Sequence, residues 1–478
     1  MLSSHLLVTL AIAAVTGSAA AAPPVDTAGD TAGDRPNWPQ WRGPAQDGVS
    51  PGASGIAATW SASENIVWKT ALPSWSGATP VIWGDMIFVT SPSAPSPSNA
   101  DGDDATEQPR RERRGGRRGG RRGGGNAAGP DGPGGDDILL LAISRTDGAI
   151  KWQRKLDTGN VMHRKGNDAS PSPVTDGTHV WAVTGNGSIV AHDFDGNEIW
   201  RQNLQTSYGD FGHLWGYGSS PLLYDGKLYV EVLHGFRTDD ASYVAALDAK
   251  TGNVLWRTER RTAAPQESPD AYTTPVVLRH AGQTQIVVSG ADCVTGYDPE
   301  SGAELWRVDG LNPTAAGNFR IIASPVAVDG VVYAPTRIRP LLAISVGDDV
   351  RPTDSDIRWT WNQTGSPDVP TPVCDGTYFY MVNDRGMATC LDAKTGEVHW
   401  GPERTVSGTI SSSPVLADGK IYFTTEEAIT VVLKAGPDFE ILAENELDGT
   451  YTLSSPVPLG DRMYIRTATH LYCIGSDE

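Results

Sequence analysis

The sequence predicts an all-β protein: an eight-bladed β-propeller of four-stranded antiparallel blades, in which an N-terminal strand completes the last blade. Three observations support this prediction. A phrase that ends in Trp recurs along the chain, a Ser/Thr-Pro phrase occurs eight times, and no segment shows sustained helical periodicity. The 54 glycines and 34 prolines among 478 residues suit many short strands joined by tight turns. Repeats of about 45 residues with four strands each are typical of propeller blades.

The Trp phrase is clearest in "LDAKTGNVLW", which ends at Trp256, and in "LDAKTGEVHW", which ends at Trp400. Looser copies end at Trp152, Trp200 and Trp306, and a degenerate copy, "DSDIRWTW", ends at Trp361. The Asp and the Thr-Gly pair set a turn in which Gly supplies positive φ. We expect the Trp side chains to pack between neighbouring blades, where a buried Trp is worth about 3–5 kcal/mol against Ala. The predicted blade-docking residues are Trp68, Trp152, Trp200, Trp256, Trp306 and Trp400.

The Ser/Thr-Pro phrase opens the first strand of each predicted blade. Its copies begin at Thr79, Ser172, Ser220, Thr274, Ser324, Thr371, Ser413 and Ser455, and most are 42 to 54 residues apart. An Asp-Gly pair usually follows and predicts a hairpin into the second strand. The third strand, the Thr-Gly turn and the Trp strand complete the unit. A lone sheet of this size cannot cover its own faces, whereas stacked copies bury them.

The eighth unit runs out after its third strand, at "HLYCIGSDE". A spare fourth strand, "ENIVWKTALP" with Trp68, precedes the first unit. We therefore expect the segment around Trp68 to pair with the last blade and close the ring. The propeller is assigned to residues 60–478.

The remaining segments are assigned from composition. Residues 1–22 resemble a secretory signal, because the apolar run is too short to span a bilayer and small residues follow it. Residues 23–59 are assigned as a linker and cap that contains "NWPQWRGPAQDGVS". We expect an exported protein, periplasmic or secreted, without a lipid anchor because no Cys lies near the cleavage site. No later apolar run is long enough to span a membrane either.

Residues 91–137 interrupt the first blade with "RRERRGGRRGGRRGGG" between acidic flanks. Such a segment cannot bury a core, and it is predicted to be a disordered Arg/Gly-rich insert. Two roles remain open: binding of an acidic polymer or nucleic acid, and, as the favoured one, a solvated tether that its own flanks neutralise. For the whole chain, the formal charge of −19 argues against general nucleic-acid binding.

The cysteines and the catalytic motifs restrict the chemistry. Cys374 and Cys390 fall on the first and third strands of one predicted blade, about 9–10 Å apart, which is too far for a disulfide. We expect the four cysteines to be buried free thiols. No metal site is expected, and no common hydrolase, metalloprotease or P-loop motif occurs.

Irregular sequence is predicted to collect on one face of the ring. The Asp-Gly and Thr-Gly turns share the lower face, whereas the loops between blades and those between second and third strands share the upper face. The loop "SYGDFGHLWGYG" is the best candidate for recognition, because its aromatic residues lie among glycines. The candidate binding residues are His213, Trp215, Tyr217 and Arg320. Packing of these loops over the axial channel is the alternative.

The phrases ending at Trp256 and Trp400 resemble the tryptophan-docking motif of the PQQ-like, or quinoprotein-type, propellers, and the resemblance covers nearly all of residues 60–478. One branch consists of dehydrogenases that use pyrroloquinoline quinone (PQQ) and Ca²⁺. Many of its alcohol-oxidising members carry a disulfide between adjacent cysteines, which this chain lacks. The other branch consists of BamB-type scaffold proteins of the bacterial envelope, which use no cofactor. "PQWRGP…DGVS" also resembles exported propellers of planctomycete-type bacteria.

The favoured hypothesis is an exported, non-catalytic binding or scaffold propeller of the cell envelope that binds its ligand on the upper face. It implies no cofactor, an unidentified envelope protein or glycan as partner, and a monomer. The first alternative is a PQQ-dependent alcohol or sugar dehydrogenase, which would need PQQ and Ca²⁺. The second is a polysaccharide-binding module.

Overall fold

The computed structural model describes residues 36–96, 130 and 132–476 and shows eight blades, each an antiparallel sheet of four strands, numbered 1 to 8. A fifth strand joins blade 7 in parallel. The predicted signal segment and most of the predicted insert lie outside the described residues. Over the described ranges, helix is limited to α1 (Leu204–Tyr208) and one 3-10 turn (Asp354–Asp356). In the described residues, no helix is both long and apolar enough to cross a membrane.

Strands are numbered in chain order. The chain enters with β1 (Val49–Ser50) and β2 (Ile66–Ala71). Blade 1 has β3 (Val81–Trp83), β4 (Met86–Pro92), β5 (Asp137–Ser144) and β6 (Ile150–Thr158). A small ribbon, β7 (Met162–His163) and β8 (Gly166–Asn167), leads to blade 2, with β9 (Val174–Thr175), β10 (His179–Val183), β11 (Ser188–Asp193) and β12 (Glu198–Asn203). Blade 3 has β13 (Leu222–Tyr224), β14 (Lys227–Val232), β15 (Tyr243–Asp248) and β16 (Val254–Glu259).

The second half repeats this order. Blade 4 has β17 (Val276–His280), β18 (Gln283–Gly290), β19 (Cys293–Tyr297) and β20 (Glu304–Asp309). Blade 5 has β21 (Val326–Val328), β22 (Val331–Ala334), β23 (Leu341–Ser345) and β24 (Ile357–Trp361). Blade 6 has β25 (Val373–Cys374), β26 (Tyr378–Val382), β27 (Met387–Asp392) and β28 (Val398–Arg404). Blade 7 has β29 (Val415–Ala417), β30 (Lys420–Thr424), β31 (Ile429–Lys434) and β32 (Ile441–Glu446). Blade 8 has β33 (Val457–Leu459), β34 (Arg462–Arg466) and β35 (His470–Ile474).

The predicted closure of the ring is confirmed. Strand β2 pairs antiparallel with β35, and Trp68 lies opposite Cys473. Blade 8 is thus built from both ends of the propeller sequence, in the order β2-β35-β34-β33. The all-β, eight-bladed fold follows from the sequence as predicted.

Tryptophans on the outermost strands connect six of the eight blades to the next one. Six indole Nε1 atoms donate hydrogen bonds of 2.8–3.1 Å to a backbone carbonyl in the third-to-fourth-strand turn of the following blade: Trp68 to Arg145, Trp152 to Phe194, Trp200 to Ala249, Trp256 to Pro299, Trp359 to Ala393 and Trp400 to Gly436. In five of these six turns a glycine lies against the indole ring. A Cβ on Gly252, for example, would lie 2.6 Å from the Trp200 ring.

Two tryptophans depart from the sequence expectation. In blade 5 the docking residue is Trp359, opposite Ala343, and not Trp361 at the end of the degenerate copy. In blade 4 the indole Nε1 of Trp306 donates to Gln285 Oε1 in the same sheet (2.6 Å), and Gln285 Nε2 donates to the Val350 carbonyl of the next blade (2.8 Å). Blade 5 has no Thr-Gly turn between its third and fourth strands, so Gln285 links Trp306 of blade 4 to the backbone of blade 5.

An N-terminal segment, residues 37–50, crosses the lower end of the ring, where it contacts the innermost strands of several blades. Trp38 exchanges two backbone hydrogen bonds with Ile82 of blade 1, and β1 pairs in parallel with β29 of blade 7. These contacts satisfy edge groups that innermost strands otherwise leave unpaired. The segment therefore closes the lower end of the axial channel.

All four cysteines are buried free thiols, as the strand positions predict. Cys374 lies on β25 and Cys390 on β27, with β26 between them. Burial raises the pKa of Cys390 to about 12, so this thiol stays protonated at neutral pH.

Candidate functional site: a cavity on the propeller axis

Eight hydrogen bonds form a closed ring around the propeller axis. In each Ser/Thr-Pro phrase, the backbone N–H of the Ser or Thr donates to the side-chain hydroxyl of the equivalent residue in the next blade, over 2.9–3.2 Å. We call these residues the hydroxyl ring: Thr79, Ser172, Ser220, Thr274, Ser324, Thr371, Ser413 and Ser455. The ring fixes the spacing of all eight innermost strands with one repeated contact.

A cavity of about 490 Å³ lies on the axis, and seven members of the hydroxyl ring line it. Trp41 lines it from the N-terminal segment, and most other lining residues come from loops that connect successive blades. Burial lowers the pKa of the neighbouring Arg42 to about 10, and its guanidinium donates to the carbonyls of Pro372 and Pro414. The lower end is thus closed, and the cavity has the size of a small-molecule site.

Trp215 forms part of one wall. Its backbone N–H donates to Tyr272 Oη (3.1 Å), and its indole Nε1 donates to Glu267 Oε1 (3.0 Å). The Arg164 guanidinium lies 5.3 Å from the centre of the Trp215 ring, within the range of a cation–π contact. Two loops from different blades therefore fix the orientation of this indole.

Arg320 and two carboxylates, Asp368 and Asp384, form a polar part of the wall. The Arg320 guanidinium donates to both carboxylate oxygens of Asp368, at 3.3 and 3.1 Å, and lies 3.7 Å from Glu267. Asp384 accepts the backbone N–H groups of Asp368 (2.9 Å) and Val369 (3.1 Å). Burial raises the pKa of Asp384 above its usual range. Each carboxylate in this wall is engaged in holding a loop.

Lys165, another residue that lines the cavity, forms an ion pair with Glu426. Its Nζ lies 2.6 Å from Glu426 Oε1 and donates to Ser411 Oγ over 3.3 Å. Ser411 Oγ donates to the same Glu426 oxygen over 2.6 Å. Glu426 is almost fully buried, so the ammonium supplies the counter-charge that this carboxylate needs.

His163 is held by a buried carboxylate. Its Nε2 lies 2.8 Å from Asp168 Oδ1, and Asp168 Oδ2 accepts the backbone N–H of Val161 over 2.7 Å. The imidazole lies on the backbone of Gly216, where an added Cβ would come within 2.3 Å of the ring. Gly216 has φ +73°, so a larger residue would be both strained and in collision there.

The structure brings three of the four candidate binding residues to the cavity. Trp215, Tyr217 and Arg320 line it, although Tyr217 is only 2% exposed. His213 is buried outside the lining, with its ring centre 5.7 Å from that of Tyr217. Burial lowers the pKa of His213 to about 3, so the imidazole is neutral and packs behind the wall.

Sequence reasoning did not select several lining residues: His163, Lys165, Asp368 and Asp384. The irregular loop "VMHRKGNDA" before blade 2 was the available signal for the first two. The acidic pair lies in segments without a comparable pattern.

A Ca²⁺ site of the kind that the dehydrogenase branch requires does not fit the cavity. Ca²⁺ takes six to eight oxygen ligands, usually with several carboxylates. The described residues contain no group of three or more His, Cys, Asp or Glu side chains placed to hold a metal. Asp368 is paired with Arg320, and Asp384 is bonded to two amides.

The fold and the axial cavity define a PQQ-like β-propeller. The chain belongs to the family described as outer membrane protein assembly factor BamB, whose model matches residues 49–193, 135–348 and 349–450. A BamB of Alkalilimnicola ehrlichii is 25% identical over 205 residues, which cover 40% of this chain and 50% of that protein.

Two further comparisons extend over more of the chain. A tetrathionate hydrolase of Acidithiobacillus ferrooxidans is 23% identical over 384 residues, which cover 71% of this chain and 70% of the hydrolase. The solved structure of a europium-containing methanol dehydrogenase superposes with a TM-score of 0.62 at 12% identity, covering 92% of this chain and 98% of the other. At that identity the second likeness shows the fold alone.

Proposed function

We propose that the protein is an exported, non-catalytic binding propeller of the cell envelope that takes its ligand, or a segment of a partner, into the axial cavity from the upper face. The observation that carries this proposal is the cavity itself, which is open among the inter-blade loops and closed below by residues 37–50. The BamB relatives, named as outer membrane assembly factors, support the envelope setting.

The charged groups around the cavity support a binding role more than a catalytic one. Asp368, Asp384 and Glu426 each hold a cation or backbone amides of a loop. A general base needs a carboxylate or imidazole that is free to accept the substrate proton. These carboxylates instead fix the loops in one arrangement, which reduces the entropy that a ligand would lose on binding.

An envelope protein and a glycan are the two partner classes that we consider. Trp215 offers an aromatic wall and Arg320 a planar cation, which are groups enriched at recognition sites. The dehydrogenase alternative would need a calcium ligand set in addition.

A hydrolase is a second candidate, favoured by the His163–Asp168 pair. A buried carboxylate that holds one imidazole nitrogen leaves the other available for proton transfer, as in catalytic pairs. The tetrathionate hydrolase relative is consistent with this candidate. Incubation of the full chain with tetrathionate tests it, and loss of turnover in His163→Ala would be required.

The binding proposal is tested by cross-linking and capture from an envelope fraction with the full chain. Trp215→Ala and Arg320→Ala are expected to lose the captured partner, whereas Ile199→Ala is expected to retain it, since Ile199 is exposed on the outer strand of blade 2. Loss of capture in Ile199→Ala alone would place recognition on the outer rim and contradict the proposal. Dye reduction with an alcohol after addition of PQQ and Ca²⁺ would instead support the dehydrogenase.

A further inference from the structure

We propose that the hydroxyl ring and the cations above it form a binding site for an oxoanion group, such as a sulfate, phosphate or carboxylate, carried by the ligand of the axial cavity. This inference rests on the proposed binding function and specifies its ligand chemistry.

Each hydroxyl of the ring has one O–H donor and two acceptor positions. One acceptor position takes the backbone N–H of the preceding blade. Within the described residues, none of the eight hydroxyls donates to a protein acceptor. All eight residues are 8% exposed or less, and seven line the cavity. The ring therefore directs buried hydroxyls at the axis, each with an unused donor and one unused acceptor position.

The charged side chains of the lining add further donors. Arg164, Lys165, Arg320 and Arg385 line the cavity, and Arg and Lys donate without accepting. In the described part of the chain, Arg164 and Arg385 form no ion pair. The two lining carboxylates, Asp368 and Asp384, already accept from Arg320 and from two backbone amides. The cavity thus has a surplus of donors, in a chain whose formal charge is −19.

This surplus distinguishes between ligand classes. A neutral sugar brings about as many donors as acceptors, and the unpaired cations Arg164 and Arg385 can only donate to it. An oxoanion brings acceptors only, and hydrogen bonds to an ionised acceptor are about twice as strong as neutral ones. The donor ring and the cations therefore fit an oxoanion, either as a free ion or as a substituent of a larger ligand.

Calorimetry on the full chain tests the proposal with three probes: sodium sulfate, glucose 6-sulfate and glucose. We expect glucose 6-sulfate to bind and glucose to show no binding. Binding of sodium sulfate with similar affinity would identify the free ion as sufficient, whereas tighter binding of glucose 6-sulfate would identify a substituted ligand. Both results support the oxoanion site.

Variants of the hydroxyl ring show whether its hydroxyls bind the sulfate group. The double variant Ser220→Ala, Ser413→Ala is expected to weaken binding of glucose 6-sulfate at least tenfold, because hydrogen bonds to a charged group are lost. Ser220→Thr, Ser413→Thr keeps both hydroxyls and is the matched control, expected within about threefold of the wild type. If the Ala variant does not fold, Arg164→Gln with Arg385→Gln replaces it, with the same tenfold expectation.

Equal binding of glucose and glucose 6-sulfate, absence of binding by both sulfate probes, or unchanged affinity in the Ala and Gln variants would overturn the oxoanion site. The proposed binding function has a separate test, since capture of the envelope partner depends on Trp215. Partner capture that survives while every sulfate probe fails would retain the binding propeller and remove only the oxoanion.

Discussion

The backbone N–H of Ser455, in the last blade, donates a 3.1 Å hydrogen bond to Thr79 Oγ1, in the first. The two residues are 376 positions apart, yet their contact repeats the one that joins every other pair of neighbouring blades. The propeller is thus closed twice, by this contact at the axis and by the pairing of β2 with β35 at the rim.

The first prediction concerns the hydroxyl ring. Thr79→Val keeps the side-chain shape but leaves the buried Ser455 N–H without an acceptor, which costs about 1–3 kcal/mol in free energy of unfolding. Thr274→Val is expected to cost the same, because a closed ring has no terminal member. Chemical denaturation measures both, and Thr79→Ser serves as the control. A much larger loss of stability in Thr79→Val than in Thr274→Val would show that the contact between blades 8 and 1 is not equivalent to those between the other blades.

The second prediction separates backbone strain from collision in the turns. Gly252 and Gly226 both have positive φ, at 74° and 68°. A Cβ on Gly252 would lie 2.6 Å from the Trp200 ring, whereas a Cβ on Gly226 meets nothing within 4 Å. Gly226→Ala should therefore cost about 1–2 kcal/mol from strain alone. Gly252→Ala should cost a further 1–3 kcal/mol from overpacking.

Thermal and chemical denaturation of the two alanine variants measure this difference. Trp200→Phe in the Gly252→Ala background is expected to recover part of the loss, because the smaller ring leaves room for the methyl group. Equal stabilities for the two alanine variants would contradict the role of Gly252 in docking the indole.

The blades could be predicted from the sequence because each repeat contains its own turn residues and, in most copies, its own Trp. Positive φ at the turn glycines and a Trp at a fixed distance can be read within one repeat, and counting the strands then places β2 in blade 8. The degenerate copy in blade 5, "DSDIRWTW", was not sufficient to predict the docking residue. Trp359 and Trp361 lie two residues apart on β24, and so on the same face of the strand, and no Thr-Gly turn fixes which one docks.

Fewer residues of the axial cavity could be predicted from the sequence, because the contacts around it join loops that are far apart in the chain. Lys165 and Glu426 are 261 residues apart, and neither lies in a repeated phrase. The loop around His213 has no period, so the sequence could not indicate that His213 packs inward while Trp215 lines the cavity. The unused donors of the hydroxyl ring were visible only once the eight Ser/Thr-Pro phrases had been placed around one axis.

The third prediction concerns the relay at Gln285. Gln285→Met preserves volume but leaves Trp306 Nε1 and the Val350 carbonyl without their partners, with an expected loss of about 2–4 kcal/mol. The double variant with Trp306→Phe should be less destabilised than the sum of the single variants, since the orphaned indole donor is then absent. A double-mutant cycle by urea denaturation measures the coupling. Strict additivity would show that the relay does not connect blades 4 and 5.

The fourth prediction concerns pH. Burial raises the pKa of Glu231, on β14, from 4.5 to about 8. The local hydrogen bonds agree with a protonated carboxyl. Thr273 has one hydroxyl hydrogen and lies 2.7 Å from the Ser289 carbonyl and 2.6 Å from Glu231 Oε1, so a protonated Glu231 donates to Thr273 while Thr273 donates to Ser289.

Because the folded state holds this proton more tightly than the unfolded state, the contribution of Glu231 to stability is complete below about pH 4.5 and is lost as pH rises to about 8. The slope approaches about 1.4 kcal/mol per pH unit within this window. Glu231→Gln should remove this part of the pH dependence and raise stability at pH 8, whereas Glu300→Gln, at the exposed surface, should leave it unchanged. Melting temperatures between pH 5 and 9 measure the effect, and identical profiles for wild type and Glu231→Gln would contradict a protonated Glu231.

The fifth prediction concerns the N-terminal segment that closes the cavity. Arg42 is 2% exposed, and its guanidinium binds the Pro372 and Pro414 carbonyls of blades 6 and 7 as well as the Asp47 carbonyl of its own segment. Arg42→Ala removes these bonds and leaves buried carbonyls without donors, so the segment should open locally while the blades stay folded. Hydrogen exchange of residues 37–50 should rise at least tenfold, with exchange in the blade strands unchanged. Arg145→Ala, which loses a bond to the Pro36 carbonyl at the edge of the segment, is the control and should change exchange much less. Uniformly faster exchange over all blades in Arg42→Ala would show instead that the segment is part of the global folding unit and not a separate closure of the axial cavity.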